Sequence, residues 1–341
     1  MLSAGVGPFA PWAGARGVVL AVSGGPDSIA LMRLAADWRA AGAPRLSVAC
    51  VDHRLRPEST REAEAVVAQA ARLGFDAVTL VWAEAQPGPA LQERARAARY
   101  RLLSAEARRR GADVVMTAHH ADDQAETVLM RLSRGSGVAG LAGMAASTRR
   151  GGVEIARPLL GLRKAALVEL CRREGLAFVD DTMNADPRFA RARLRRVLPG
   201  LGLDVDALLR LAARAARADA ALERAAADVL PVQARAVGCA LDLAALAAAP
   251  AELRLRALRR AIETAAPPLP DAAPLRLERL EALEARFAAA LAAGAPFAAT
   301  LGGAALRRTA ATLDIRPAPP RRASPHSPRV AATLGKAGLR T

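Results

Sequence analysis

The sequence predicts an α/β fold with a doubly wound, mostly parallel sheet, followed by a mainly helical C-terminal region. Two observations carry the prediction. From Gly17 to about Leu160, short apolar runs alternate with amphipathic helical segments, the signature of strands buried on both faces and joined by right-handed crossovers. A glycine-rich turn, Ser23–Ser28, directly follows the first run and opens the first helix. In such sheets ligands sit at the carboxyl ends of the strands.

The strand candidates are Gly17–Val22, Leu46–Val51, Ala77–Trp82 and Ala112–Thr117, each an apolar run bounded by turn residues. Between them Ile29–Ala41, Thr60–Leu73 and Ala90–Arg110 carry apolar residues at i, i+3 and i+4, one face of a helix. Val153–Ala156 reads as a further strand, leading through Arg157-Pro158 to a helix around Leu162–Glu174. Beyond Pro199 the chain is rich in alanine and arginine, with helices expected at Asp204–Val229, Ala251–Thr264 and Leu275–Leu291. Phe297–Ile315 alternates around Gly302-Gly303 and suggests a small hairpin. From Arg316 the chain holds many Pro and Ser, five basic residues from Arg321 on and no acid. That composition predicts a disordered basic tail.

The 341 residues include 49 Lys+Arg against 33 Asp+Glu, a formal charge of +16, which points to a polyanionic partner such as nucleic acid. Only Lys164 and Lys336 are lysine. Aromatics are 3% of the chain, few for a protein that reads single strands by base stacking. Cys50, Cys171 and Cys239 are far apart and odd in number, which excludes a disulfide framework and a CxxC site. With no signal-peptide pattern and no long apolar run, the expectation is a cytoplasmic protein without a membrane partner.

Ser23-Gly24-Gly25-Pro26-Asp27-Ser28 is the strongest chemical signal. Adjacent glycines let backbone N–H groups converge on an anion, and the helix N-terminus adds its dipole. Asp27 is out of place beside phosphate unless Mg²⁺ or an amine lies nearby. Gly135–Gly140 fits GxGxxG, but it follows a helix and is not a dinucleotide loop. At the fourth strand end, His119, His120, Asp122, Asp123 and Glu126 could hold a metal, bind an amine or position a base. Asp122 or Asp123 could equally be a helix cap. Asp52-His53, ending the second strand, reaches the same sheet edge. Arg96 and Arg99 share a helical face beside Tyr100, and Arg188, Arg191, Arg193, Arg195 and Arg196 crowd nine residues. Both runs suit phosphate contacts.

Together these segments resemble the tRNA(Ile)-lysidine synthases, members of the PP-loop, or N-type ATP pyrophosphatase, superfamily. The resemblance rests on SGGPDS, VDHRLRPES (Val51–Ser59), ARAARY (Ala95–Tyr100), Ala118–Met144, RPLL (Arg157–Leu160) and, more weakly, Asp180–Pro199. It implies a carbon–nitrogen ligase. ATP adenylates the C2 oxygen of the wobble cytidine in the CAU anticodon of tRNA(Ile), and L-lysine then displaces AMP.

In that reading Ser23, Gly24, Gly25, Pro26, Asp27, Ser28, Asp52, His53 and His119 bind ATP, with Mg²⁺ at Asp27. Asp122, Asp123 and Glu126 receive the lysine, and Asp27, Asp123, Glu126 and Arg96 are catalytic. Arg99, Arg157, Arg191 and Arg195 contact tRNA. Residues 1–200 would be the catalytic domain, 201–315 a tRNA-contacting domain and 316–341 the tail. Met183, Phe189 and Ala192 depart from the family pattern in the weaker segment. A PP-loop tRNA thiolase, a metal-dependent phosphoesterase and a non-catalytic RNA-binding protein are the competing readings.

Overall fold

The computed structural model describes residues 7–54, 57–83, 88, 91–179, 193–194, 202–267 and 275–319. The first unit is built on a six-stranded sheet. Its strands are β1 (Val18–Ala21), β2 (Leu46–Asp52), β3 (Asp76–Val81), β4 (Val114–Met116), β5 (Ser147–Arg150) and β6 (Val153–Ala156). They lie in the order β3-β2-β1-β4-β6-β5, and every neighbouring pair is parallel except β5 with β6. The helices are α1 (Pro26–Ala40), α2 (Ser59–Arg72), α3 (Leu91–Arg109), α4 (Ala121–Leu132), α5 (Val138–Leu141) and α6 (Lys164–Arg173).

Alternation along β1 explains why the sheet is covered on both sides. Val18 and Leu20 pack with Ile29, Trp38 and Leu167 of α1 and α6, whereas Val19 packs with Tyr100 and Leu103 of α3. All three β1 side chains are fully buried. Each contributes about 1.5–3 kcal/mol relative to exposure. A short 3-10 turn, Gly7–Trp12, adds Phe9 and Trp12 to the first of these cores, with Phe9 stacked on Trp38 at 4.8 Å. The chain order passes from β1 outward to β2 and β3, then returns to β4 on the other side of β1. The reversal opens a crevice at the carboxyl ends of β1 and β4.

A long helix, α7 (Val205–Val229), follows, and its Leu208 and Ala212 pack on Ala125, Val128 and Leu129 of α4. By internal contacts the chain divides after Ala225, inside α7.

The second unit holds α8 (Leu243–Ala248), α9 (Ala251–Ala265) and α10 (Leu277–Ala292). Its strands are β7 (Gln233–Ala234), β8 (Cys239–Asp242), β9 (Ala298–Leu301), β10 (Ala304–Arg308) and β11 (Thr312–Pro317). These five form an antiparallel sheet in the order β7-β8-β11-β10-β9. Helical residues outnumber strand residues, so the region is mainly helical, but the sheet is larger than the single hairpin expected. Gly302 and Gly303, at φ +58° and +81°, make the two-residue turn between β9 and β10. Buried Leu306, Leu313 and Ile315 face Ala257, Leu258, Ile262 and Phe287. Arg260 donates to the Ala226 and Leu230 carbonyls at the end of α7, and Arg308 donates to Ala290 and Ala295 at the end of α10. Both are arginine caps on exposed helix carbonyls. Arg316 and Pro317, expected to begin the tail, are the last residues of β11; residues from Pro320 on lie outside the described residues.

Candidate active site at the carboxyl edge of the sheet

The Ser23–Ser28 turn is built as its sequence suggests. Gly24 has φ +91°, a conformation that favours glycine, and a Cβ there would lie 3.3 Å from Val66 Cγ2. Gly25 is the N-cap of α1 and Pro26 its first residue. The Ser28 hydroxyl accepts from the Ser23 N–H (3.1 Å) and donates to the Gly25 carbonyl (2.9 Å), drawing the turn closed. Ser23 Oγ stands 3.4 Å from Ser28 Oγ. Gly25 differs from Gly24: at φ −72° any residue would be tolerated, and a Cβ there would meet nothing within 4 Å. The fold does not need glycine at position 25, but an anion approaching the helix N-terminus does.

Asp27, in the first turn of α1, faces the end of β4. Its Oδ2 is 3.5 Å from His120 Nε2 and 3.9 Å from Lys164 Nζ. Its Oδ1 is buried with no hydrogen-bond partner among the described residues. His120 caps α4: Nδ1 accepts from the Asp123 N–H at 3.3 Å, while Asp123 Oδ2 accepts from the His120 N–H at 3.2 Å. An accepting Nδ1 leaves Nε2 to carry the proton toward Asp27. Burial disfavours a charged His120, yet the Asp27 hydrogen bond and the charges of Asp123, Asp27 and Asp122 outweigh it and raise its pKa.

The two adjacent aspartates have separate tasks. Asp122 accepts from the Lys164 N–H (2.8 Å) and from Arg163 (3.1 Å), so it anchors the N-terminus of α6. Burial pushes its carboxyl up, but these donors prevail and hold it below the usual carboxylate range. Asp123 and Glu126 are buried on the inner face of α4. His119 lies beside the cluster, with Nδ1 2.8 Å from Thr117 Oγ1.

Asp52 is buried and fully engaged: it accepts from the Arg54 N–H (2.9 Å), Ser59 Oγ (2.7 Å) and Thr60 Oγ1 (2.8 Å). These bonds tie β2 to the start of α2. His53 packs edge-on to Trp82 at 6.0 Å, and its buried Nδ1 lacks a hydrogen-bond partner among the described residues. Burial, then the Arg99 charge, lowers its pKa.

On α3, Arg96 and Arg99 flank the ring of buried Tyr100, their guanidinium carbons 5.3 and 5.5 Å from its centroid; Arg150 lies at 4.8 Å. Arg157 donates to the Ala145 carbonyl (2.9 Å) and Thr148 Oγ1 (3.2 Å), and burial lowers its pKa. The Tyr100 hydroxyl lies close to Arg157 without a well-formed hydrogen bond. Burial pushes the Tyr100 pKa up, and the four surrounding arginines more than reverse this. Arg191 and Arg195 lie outside the described residues.

His120 belongs to the strand-end cluster read from the sequence, although the resemblance assigns ATP binding to His119 alone. Two contributors escape the sequence reading. Lys164 had a weak signal, as one of two lysines. Arg150 sits on edge strand β5, whose Ser-Thr-Arg-Arg sequence has no apolar alternation. All three cysteines are buried, and burial pushes the Cys50 thiol up to about 12 and that of Cys171 to about 11. Neither presents a thiolate near neutrality. Among the described residues no group of three or more His, Cys, Asp and Glu side chains could hold a metal ion, and no helix is long and apolar enough to cross a membrane.

A PP-loop domain model matches residues 6–201. The chain is also 51% identical over 317 residues to a tRNA(Ile)-lysidine synthase of Methylobacterium nodulans, covering 91% of this chain and 92% of that protein. The chain belongs to the tRNA(Ile)-lysidine synthase family. Two further members are similar: one from Methylobacterium sp. (strain 4-46), 52% identical over 92% of this chain and 93% of that one, and one from Rhodopseudomonas palustris, 47% identical over 92% and 94%. The matched PP-loop span of this tRNA(Ile)-lysidine synthase family member includes the loop after β1. That is the loop whose Asp27 meets His120.

Proposed function

We propose that this protein joins L-lysine to C2 of the wobble cytidine in the CAU anticodon of tRNA(Ile), in two steps. In the first, the cytidine C2 oxygen attacks the α-phosphorus of ATP and pyrophosphate leaves. In the second, the lysine ε-amine attacks C2, the C2–oxygen bond breaks and AMP leaves with that oxygen. Asp27 meeting His120 across the crevice between β1 and β4 carries this reading, because it joins the phosphate loop to the acidic strand end.

The amides at the start of α1, with Ser23 and Ser28, hold the departing pyrophosphate. The orphaned Asp27 Oδ1 fits an Mg²⁺ ligand; bound there, the ion would neutralise phosphate charge. Lys164, beside Asp27, adds a point charge for the same phosphates. Lysine enters as an ammonium of pKa about 10.4 and must lose a proton before it attacks. Asp123 and Glu126 bind that ammonium and take the proton, while Asp122 keeps α6 in place. Arg96, Arg99 and Arg157 stabilise phosphate charge on the tRNA side. The buried cysteines weigh against a thiolase.

Incubation with tRNA(Ile) transcript, ATP and radiolabelled lysine should carry label into RNA. ATP turnover with no label in RNA would overturn the assignment. Ser28→Ala should abolish adenylation and leave tRNA affinity within about twofold; loss of tRNA binding instead would mean that the loop has been misread.

A further inference from the structure

We infer that the solvent face of α7 is a phosphate-tracking surface for the RNA substrate, carried by Arg210, Arg214, Arg217 and Arg224. The inference rests on the tRNA-modifying reading above and adds a surface remote in sequence from the loop chemistry. All four side chains belong to exposed residues. At about 100° per residue they fall within an arc of about 80°, and at about 1.5 Å rise they extend about 21 Å along the helix. Asp219 and Glu223 lie on the opposite side of the same helix.

A face that merely keeps a helix in solution pairs its charges. This protein does so elsewhere, with partly exposed Arg33 2.5 Å from Asp37 one turn on in α1. At the centre of α7 the pattern is reversed, although Arg210 has Asp206 and Arg224 has Asp228 one turn away on the same face. Arg210 and Arg214 are four residues apart and Arg214 and Arg217 three, so like charges stack on one another, an arrangement that disfavours the isolated helix by a few tenths of a kcal/mol per pair. Arg214 and Arg217 have no acid three or four residues away in either direction. Arg210 also pairs with Asp204 at 3.7 Å, but both groups are exposed and the pair is weak. A polyanion laid along the stripe relieves the repulsion and releases counterions. A row of guanidinium groups with no aromatic side chain among them selects phosphates, not base edges.

The test is equilibrium binding of tRNA(Ile) transcript to the full-length protein, without ATP or lysine, across a salt series. For the triple variant R210Q/R214Q/R217Q, the slope of log K against log salt should fall by about 2–3, at roughly 0.7–0.9 per lost phosphate contact. Affinity near physiological salt should drop at least tenfold. Glutamine keeps helix propensity, so helicity and melting temperature should hold. The corresponding triple lysine variant should retain the wild-type slope to within about one unit, since charge and not fork geometry sets it. An unchanged slope and affinity in the glutamine variant would overturn the inference, as would an equal loss in the lysine variant. Because no chemistry is needed, failure of lysine incorporation would remove the proposed reaction and leave this surface standing.

Discussion

Consider Asp52→Asn. The wild-type carboxylate is buried and accepts three hydrogen bonds, from the Arg54 N–H and the hydroxyls of Ser59 and Thr60. Hydrogen bonds to a charged group contribute about 1.5–3 kcal/mol each. Asparagine keeps one acceptor oxygen for Arg54 and Ser59, and the Thr60 hydroxyl can turn to accept from the new amide. The loss is therefore the charge-assisted share of three bonds, about 2–3 kcal/mol in all. At about 2–4 °C per kcal/mol for a domain of this size, the first unit should melt roughly 5–10 °C earlier.

The pH dependence has a definite sign. Burial raises the Asp52 pKa, but the Ser59, Arg54 and Thr60 hydrogen bonds outweigh it and the folded value lies below the ordinary one. Its stabilisation is present above the unfolded value of about 3.9 and is lost as pH falls through the folded value. The variant should lack that acid-side loss. The assays are thermal melting between pH 2 and 7 and ATP titration at a temperature where the variant is folded. ATP affinity should stay within about threefold. An unmoved melting temperature together with ATP affinity lost more than tenfold would refute the reasoning and return Asp52 to the ligand.

Two further outcomes follow from the site. Gly25→Ala should leave melting unchanged or raise stability by about 0.4–1 kcal/mol through the unfolded chain, while weakening ATP binding at least tenfold; unchanged ATP affinity would show that no phosphate approaches Gly25. His120 has a raised pKa, so the stability from its protonation is present below the unfolded value of about 6.5 and is lost as pH rises through the folded value. His120→Asn, which keeps an acceptor for the Asp123 N–H, should flatten melting temperature against pH between 6 and 9; identical slopes in the two proteins would contradict this.

The first unit was legible element by element because its signals are local. Four continuous apolar runs and the Val153–Ala156 run became β1 to β4 and β6, and the intervening periodic segments became α1, α2, α3 and α6, with ends displaced by a few residues. Strand β5 was not legible: an exposed edge strand reading Ser-Thr-Arg-Arg buries one face against nothing and needs no apolar alternation. Exposure also hid β7, whereas buried β8, only four residues long, is too short a run to show a period, and only Gly302-Gly303 announced a turn. The 3-10 turn at Gly7–Trp12 was also missed, since Phe9 acquires its meaning only when it stacks on Trp38.

The sequence by itself determined the doubly wound class, the glycine turn of Ser23–Ser28 that opens α1 and the company of acids at the end of β4. These are matters of residue type and spacing along one strand–turn–helix unit. Which neighbours met across the crevice was decided by tertiary structure alone. Sheet order sets β1 beside β4, so Asp27 finds His120; packing of α6 commits Asp122 to its N-terminus; and the turn after β2 consumes Asp52. A carboxylate's role depends on which donors reach it. Donors separated by tens of residues in the chain are brought to it only by the fold.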